Sequence, residues 1–144
     1  MATGQLAFSS DAAVGHTAAL AIDALAGGPN GQNDGTYWQA AGAASFAASR
    51  TWEVKLASAQ TIRAIQARME LDAPGWVTVD ARFLDDTGAQ LMRTTIYDGP
   101  GADYQAIGIT LTTPLPGVRD VYLIFTQSPT GVAPGLRTVG VYTP

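Results

Sequence analysis

Along most of the chain, apolar and polar residues alternate with the period of two that places every second side chain on one face of a β-strand. Trp52, Val54 and Leu56 alternate with Glu53 and Lys55. Ile65, Ala67, Met69 and Leu71 are set against Gln66, Arg68 and Glu70, and Val77, Val79, Ala81 and Phe83 against Thr78, Asp80 and Arg82. Asp85-Asp86-Thr87-Gly88 reads as a hairpin turn leading into Leu91–Tyr97. Ile107, Ile109 and Leu111 predict a further strand, Val121, Leu123 and Phe125 another, and Val139 and Val141 a closing one. Helix signals are confined to the alanine-rich stretch Ala12–Ala26, where Gly15 and Gly27-Gly28-Pro29 limit any helix to a turn or two around Leu20–Leu25. With no internal repeat and no dividing linker, the pattern predicts one all-β domain over residues 1–144, an antiparallel β-sandwich of the jelly-roll kind.

Composition narrows the function. Hydrophobic residues make up 47% of the 144 and charged residues 14%, enough apolar surface to offset the entropy of ordering one core. A net charge of −4, with eight scattered Lys and Arg, argues against nucleic acid, which needs a basic patch, and against a polybasic membrane anchor. There is no cysteine, hence no disulfide framework and no thiolate metal site. No apolar run is long enough to insert into a membrane as a helix. Met1–Gln5 has neither the basic start nor the apolar core of a signal peptide.

Several segments, in order, resemble the discoidin-type (coagulation-factor C) superfamily, which includes the family 32 carbohydrate-binding modules. Ala21-Ile22-Asp23 followed by Asp34-Gly35-Thr36-Tyr37-Trp38-Gln39-Ala40 is similar to that family's early aspartate and tryptophan segment. Trp52-Glu53-Val54-Lys55-Leu56 and Gln60–Ile65 resemble its next pair of strands, and Leu136–Tyr142 its last. The resemblance spans Phe8 to Tyr142 and implies a galactose-binding-domain-like jelly roll with Trp38 and Trp52 in the core. Thr110–Gln127 is also similar to the family 6 modules, which share the architecture.

The resemblance implies sugar contacts from loops at one end of the sandwich, at His16, Gln39, Phe46, Arg50, Glu70, Asp72 and Trp76. Trp76 follows Pro74-Gly75 and is out of phase with the inward residues, so it offers an indole face on which the C–H face of a sugar can stack. The family's galactose-binding histidine falls on Gln39 and its arginine near Met69 or Glu70, so a galactose preference does not carry over. Asp23, Asp34 and Thr36 are the side chains that would hold a structural Ca²⁺, an ion that takes six to eight oxygen ligands. Here the family's usual glycine is Ala24, Leu25–Gln32 lengthens the loop, and Thr138 or Gly140 stands where related modules carry glutamate.

Catalytic signals are weak. His16 is the only histidine, Glu53 and Glu70 are the only glutamates, and Ala26–Gly31 lacks the ending of a phosphate loop. The expected function is therefore a non-catalytic carbohydrate-binding module, extracellular or surface-displayed and part of a larger protein or assembly. The alternative is a structural or protein-interaction sandwich on a virion or cell surface, which the small-residue loop Ala40–Ser49 favours.

Overall fold

A computed structural model describes residues 6–18, 21 and 37–144. Among these, the regular elements are seven β-strands: β1 (Leu6–Ser9), β2 (Trp38–Gln39), β3 (Arg50–Glu70), β4 (Gly75–Leu84), β5 (Gln90–Gly101), β6 (Ala106–Gln127) and β7 (Gly135–Tyr142). Every pairing between them is antiparallel. The predicted β-sandwich is present.

Two strands are longer than the alternation indicated, and they build the sandwich. Residues 52–55 of β3 pair with β1 on one side, and residues 50–55 pair with residues 120–125 of β6 on the other. Residues 64–70 of the same strand pair with β7 and with residues 106–110 of β6. Register shifts between Lys55 and Ala64 mark the corner where β3 passes from one sheet to the other. There the apolar alternation lapses through Ala57-Ser58-Ala59, which is why the sequence reads as two strands. β6 turns the same corner near Pro114, Pro116 and Gly117, residues suited to a break in ladder bonding. The first sheet thus runs β1, β3, β6, β4, β5, and the second β2, β7, β3, β6.

The inward phase of each strand fills the space between the sheets. Trp52, Val54, Leu56, Ile65, Met69, Val77, Val79, Ala81, Phe83, Val121, Leu123, Phe125, Leu136 and Val141 are all fully buried. Trp38 and Trp52 are both 0% exposed, as expected. Each indole N–H also finds an acceptor, Trp38 on the Asp11 carbonyl at 3.0 Å and Trp52 on the Ala18 carbonyl at 3.0 Å, so neither ring buries an unpaired donor. Most of the stretch expected to hold a helical turn around Leu20–Leu25 lies outside the described residues. Among the described residues, no helix is long and apolar enough to cross a membrane.

Candidate functional site

Because Trp38, Met69 and Leu136 point into the core, their neighbours Gln39, Glu70 and Arg137 are carried onto the outer face of the second sheet. Gln39 pairs with Gly135 on β7, and Gly135 with Glu70 on β3, so the three form one row across the sheet. The glycine makes the row work. A Cβ at Gly135 would run into the Trp38 carbonyl oxygen and sit 3.1 Å from Glu70 Oε2. Without one, the Gln39 amide reaches over β7 and its Nε2 donates to Glu70 Oε2 at 3.1 Å and to Asp72 Oδ2 at 3.2 Å. One amide therefore bridges two carboxylates.

Glu70 is 3% exposed. Burial, followed by the charge of Asp72, pushes its carboxyl up to about 7, since both disfavour the ionised form. The same environment raises the Tyr37 phenol, first by burial and then by Glu70 and Asp72. Tyr37 is stacked on His16, with ring centroids 4.2 Å apart and planes inclined by 17°.

The other flank of the face is a fixed cation. Arg137 donates to Asp103 in bidentate fashion, Nε to Oδ1 at 3.0 Å and Nη2 to Oδ2 at 2.8 Å. Its guanidinium also lies 5.1 Å from the Tyr37 ring and 4.2 Å from that of Tyr104. Tyr104 has φ 64°, a left-handed conformation uncommon for a tyrosine, in a loop pinned to β3 by paired backbone bonds to Met69. Arg68 donates to the Tyr104 carbonyl at 3.1 Å. The result is a polar surface on which Asp72 and the Gln39 amide are accessible above a buried Glu70, with the Tyr37 ring packed between His16 and Arg137.

No family model matches the sequence, and no curated protein resembles it detectably in sequence. Solved structures do resemble it in shape. A fucose-binding module of Streptococcus pneumoniae superposes with a TM-score of 0.74 at 18% identity, covering 99% of this chain and 96% of that one. Chitosan-binding module 1 of a Paenibacillus chitosanase/glucanase gives 0.71 at 22% identity, covering 98% and 96%. The family 32 module of C. perfringens NanJ, solved with galactose, gives 0.67 at 16% identity, covering 95% and 92%. The fold is that of the family 32 carbohydrate-binding modules.

On this family 32 fold, the residues singled out from the sequence fall into separate places. Gln39, Glu70 and Asp72 come together, and His16 joins them through Tyr37. Trp76 does not. It is 51% exposed, as its phase predicts, but on the outer face of the first sheet, where its Nε1 donates to Asp98 Oδ1 at 2.9 Å. Thr78 Oγ1 donates to the same oxygen at 3.0 Å. A single site built on Trp76 with Glu70 and Asp72 around it is thus replaced by two surfaces on different sheets.

Phe46 is 80% exposed, within the tight turn closed by Ser45 and Ala48. Arg50 is engaged internally, ion-paired with Asp11 and donating from Nε to the Ala43 carbonyl at 3.1 Å, so it clamps the 40–49 loop. Asp23, Asp34 and Thr36 lie outside the described residues. Among the described residues, no three acidic or histidine side chains are grouped to hold a metal ion.

Sequence reasoning passed over Tyr37, Asp103, Tyr104 and Arg137. Val139 and Val141 marked the closing strand, but the partners of Arg137 come from a loop 34 residues earlier.

Proposed function

We propose that this chain is a non-catalytic carbohydrate-binding module that holds a saccharide on the outer face of its second sheet, against Gln39, Glu70, Asp72 and Tyr37. The observation that carries the reading is the row Gln39–Gly135–Glu70, extended by Asp72, in which the buried Glu70 and the exposed Asp72 fix the Gln39 amide in place on the sheet face. Carboxylates and side-chain amides are suited to adjacent sugar hydroxyls, and preset geometry lowers the cost of ordering them. Three solved structures of the same fold are described as a fucose-binding module, a chitosan-binding module and a module in complex with galactose, which supports a glycan as ligand. The non-catalytic reading is supported by the sequence, whose single histidine and two glutamates offer few groups for a catalytic pair. A shallow single site binds weakly and gains by multivalent display, which fits an extracellular module within a larger protein.

A glycan array followed by titration calorimetry tests the site. Gln39→Ala and Asp72→Ala are each expected to weaken binding by about tenfold or more, a loss of about 1.4 kcal/mol, with the fold retained. Unchanged affinity in both variants would remove the site from this face.

The calcium reading belongs to the same proposal and rests on the oxygen side chains of Asp23, Asp34 and Thr36. If the ion is held, Ca²⁺ raises the melting temperature, EDTA lowers it, and Asp23→Ala abolishes the difference, because a ligand bound only by the folded state stabilises it by mass action. Superimposable melting curves in calcium and EDTA would exclude it.

One observation favours the protein-interaction alternative. On the outer face of the first sheet, Leu6 and Phe8 are 63% and 48% exposed, beside a groove of about 250 Å³ lined by Phe8, Ser9, Ser10, Thr51, Glu53 and Tyr122. If this is the working surface, Phe8→Asp abolishes partner binding and Asp72→Ala leaves it intact.

A further inference from the structure

We infer that the outer face of the first sheet carries a second saccharide platform at Trp76, selective for a neutral sugar with equatorial hydroxyls; the inference takes its ligand class from the glycan-binding reading and adds a separate site to it.

Trp76 stands near the start of β4, where it pairs with Pro100 on β5. The pairing of β4 with β6 begins only at Thr78, so no β6 residue is paired with the indole. Its companions on the outer face are Pro100 opposite and Thr78 and Asp98 one step along, side chains too short to cover an indole. The Tyr97 hydroxyl donates to the Pro100 carbonyl and pins that neighbour. The ring is therefore left 51% exposed, yet it is fixed. Its Nε1 donates to Asp98 Oδ1 at 2.9 Å, and Thr78 Oγ1 donates to the same oxygen at 3.0 Å. Core packing does not account for a tryptophan here, because the opposite phase, Val77 and Val79, fills the core beneath it. What the arrangement provides is an oriented aromatic face whose ordering cost is met before a ligand arrives.

The polar groups at the ring edge set the ligand. Both donors end on Asp98 Oδ1, which leaves Oδ2 of this exposed carboxylate to accept from a ligand hydroxyl. The cations of β4 and β5 are engaged elsewhere. Arg93 is held by Asp80 through Nε at 3.0 Å and Nη2 at 2.9 Å, and Arg82 donates to Gln90 and lies over the Tyr122 ring. An acidic sugar would set its carboxylate against Asp98 without a free cation on these strands to receive it, so the platform disfavours it. A neutral pyranose with equatorial hydroxyls has only axial C–H bonds on its faces. It can lie flat on the indole and direct a hydroxyl at Asp98 from the ring edge, whereas an axial hydroxyl would lift it away. One ring and one free carboxylate oxygen make a smaller contact than the face around Gln39, so this is the weaker of two sites. Because the two sheets face outward on opposite sides, a single chain can hold two glycan segments at once, which raises retention by multivalency.

Tryptophan fluorescence isolates the platform. Trp38 and Trp52 are 0% exposed, so quenching by acrylamide reports on Trp76. The full chain is titrated with cellohexaose, with the same oligomer oxidised to its uronic acid, and with mannohexaose, which carries an axial hydroxyl. Saturating cellohexaose is expected to lower the quenching by about half, because stacking covers one of the two ring faces. The effect should be the same in Asp72→Ala, whose lesion lies on the other sheet, and the other two oligomers should leave quenching near its unliganded level. Asp98→Asn, which keeps an acceptor for the indole N–H, is expected to admit the oxidised oligomer. Quenching unmoved by cellohexaose, protection that disappears in Asp72→Ala, or equal protection by all three oligomers would overturn the inference while glycan binding at the second sheet stands. Absence of binding to every glycan of a wide array would instead overturn the glycan-binding reading beneath it.

Discussion

Trp38→Ala is expected to destabilise the domain by about 3–5 kcal/mol, a large part of the stability of a chain this size, whereas Trp76→Ala should cost less than about 1 kcal/mol. Trp38 is 0% exposed, its ring centroid lies 6.2 Å from that of Phe125, and its N–H is tied to the Asp11 carbonyl. Truncation opens a cavity between the sheets and leaves that carbonyl without its donor. It also loosens β2, which pairs with β7 through Trp38–Leu136 and Gln39–Gly135, and with it the Gln39 amide. Trp76 is half in solvent, and Asp98 keeps the Thr78 hydroxyl when the indole is removed. Chemical denaturation of the two variants measures the difference. In glycan binding, Trp76→Ala should lose less affinity than Asp72→Ala, because the indole lies on the other sheet. If Trp76→Ala abolishes binding and Asp72→Ala does not, the sugar sits on the first sheet.

Glu70→Gln is expected to stabilise the protein at pH 8 and leave its stability nearly unchanged at pH values below about 4.5. The carboxyl is raised from 4.5 to about 7 in the folded state, so between those values the folded protein binds a proton that the unfolded chain does not. The stabilisation this represents is fully present below the unfolded value. It is lost progressively as the pH rises through the folded one, where a buried carboxylate must ionise beside Asp72. A displacement from 4.5 to about 7 corresponds to an upper limit of about 3 kcal/mol in that window. Glutamine keeps an acceptor for the Gln39 amide and cannot ionise, so the variant should show a flatter stability profile than the wild type between pH 4.5 and 7. Parallel profiles for the two proteins, measured by urea melts across the range, would show that Glu70 titrates normally and that the pair with Asp72 is not strained.

The division between what sequence and tertiary structure decide follows from the range of the interactions. Alternation is a local property. It identified the inward phases of 52–56, 65–71, 77–83, 107–111 and 121–125, and the Asp85–Gly88 turn, because a half-buried strand imposes its period on its own residues. The burial of Trp38 and Trp52 and the exposure of Trp76 followed from the same phases and from the family resemblance. The lengths of β3 and β6 did not, since the corner where each changes sheets interrupts the alternation that reveals a strand. Gln39, Glu70 and Asp72 were visible singly, as the polar members of motif segments and a loop. What no local pattern contains is that Gly135, nearly a hundred residues from Gln39, lies between it and Glu70 without a side chain to block the bridge. The same holds for Arg137, Asp103 and Tyr104, and for the placing of Trp76 on the opposite sheet. Strand order and register join residues distant in sequence, and only the packed sandwich sets which outward faces share a surface.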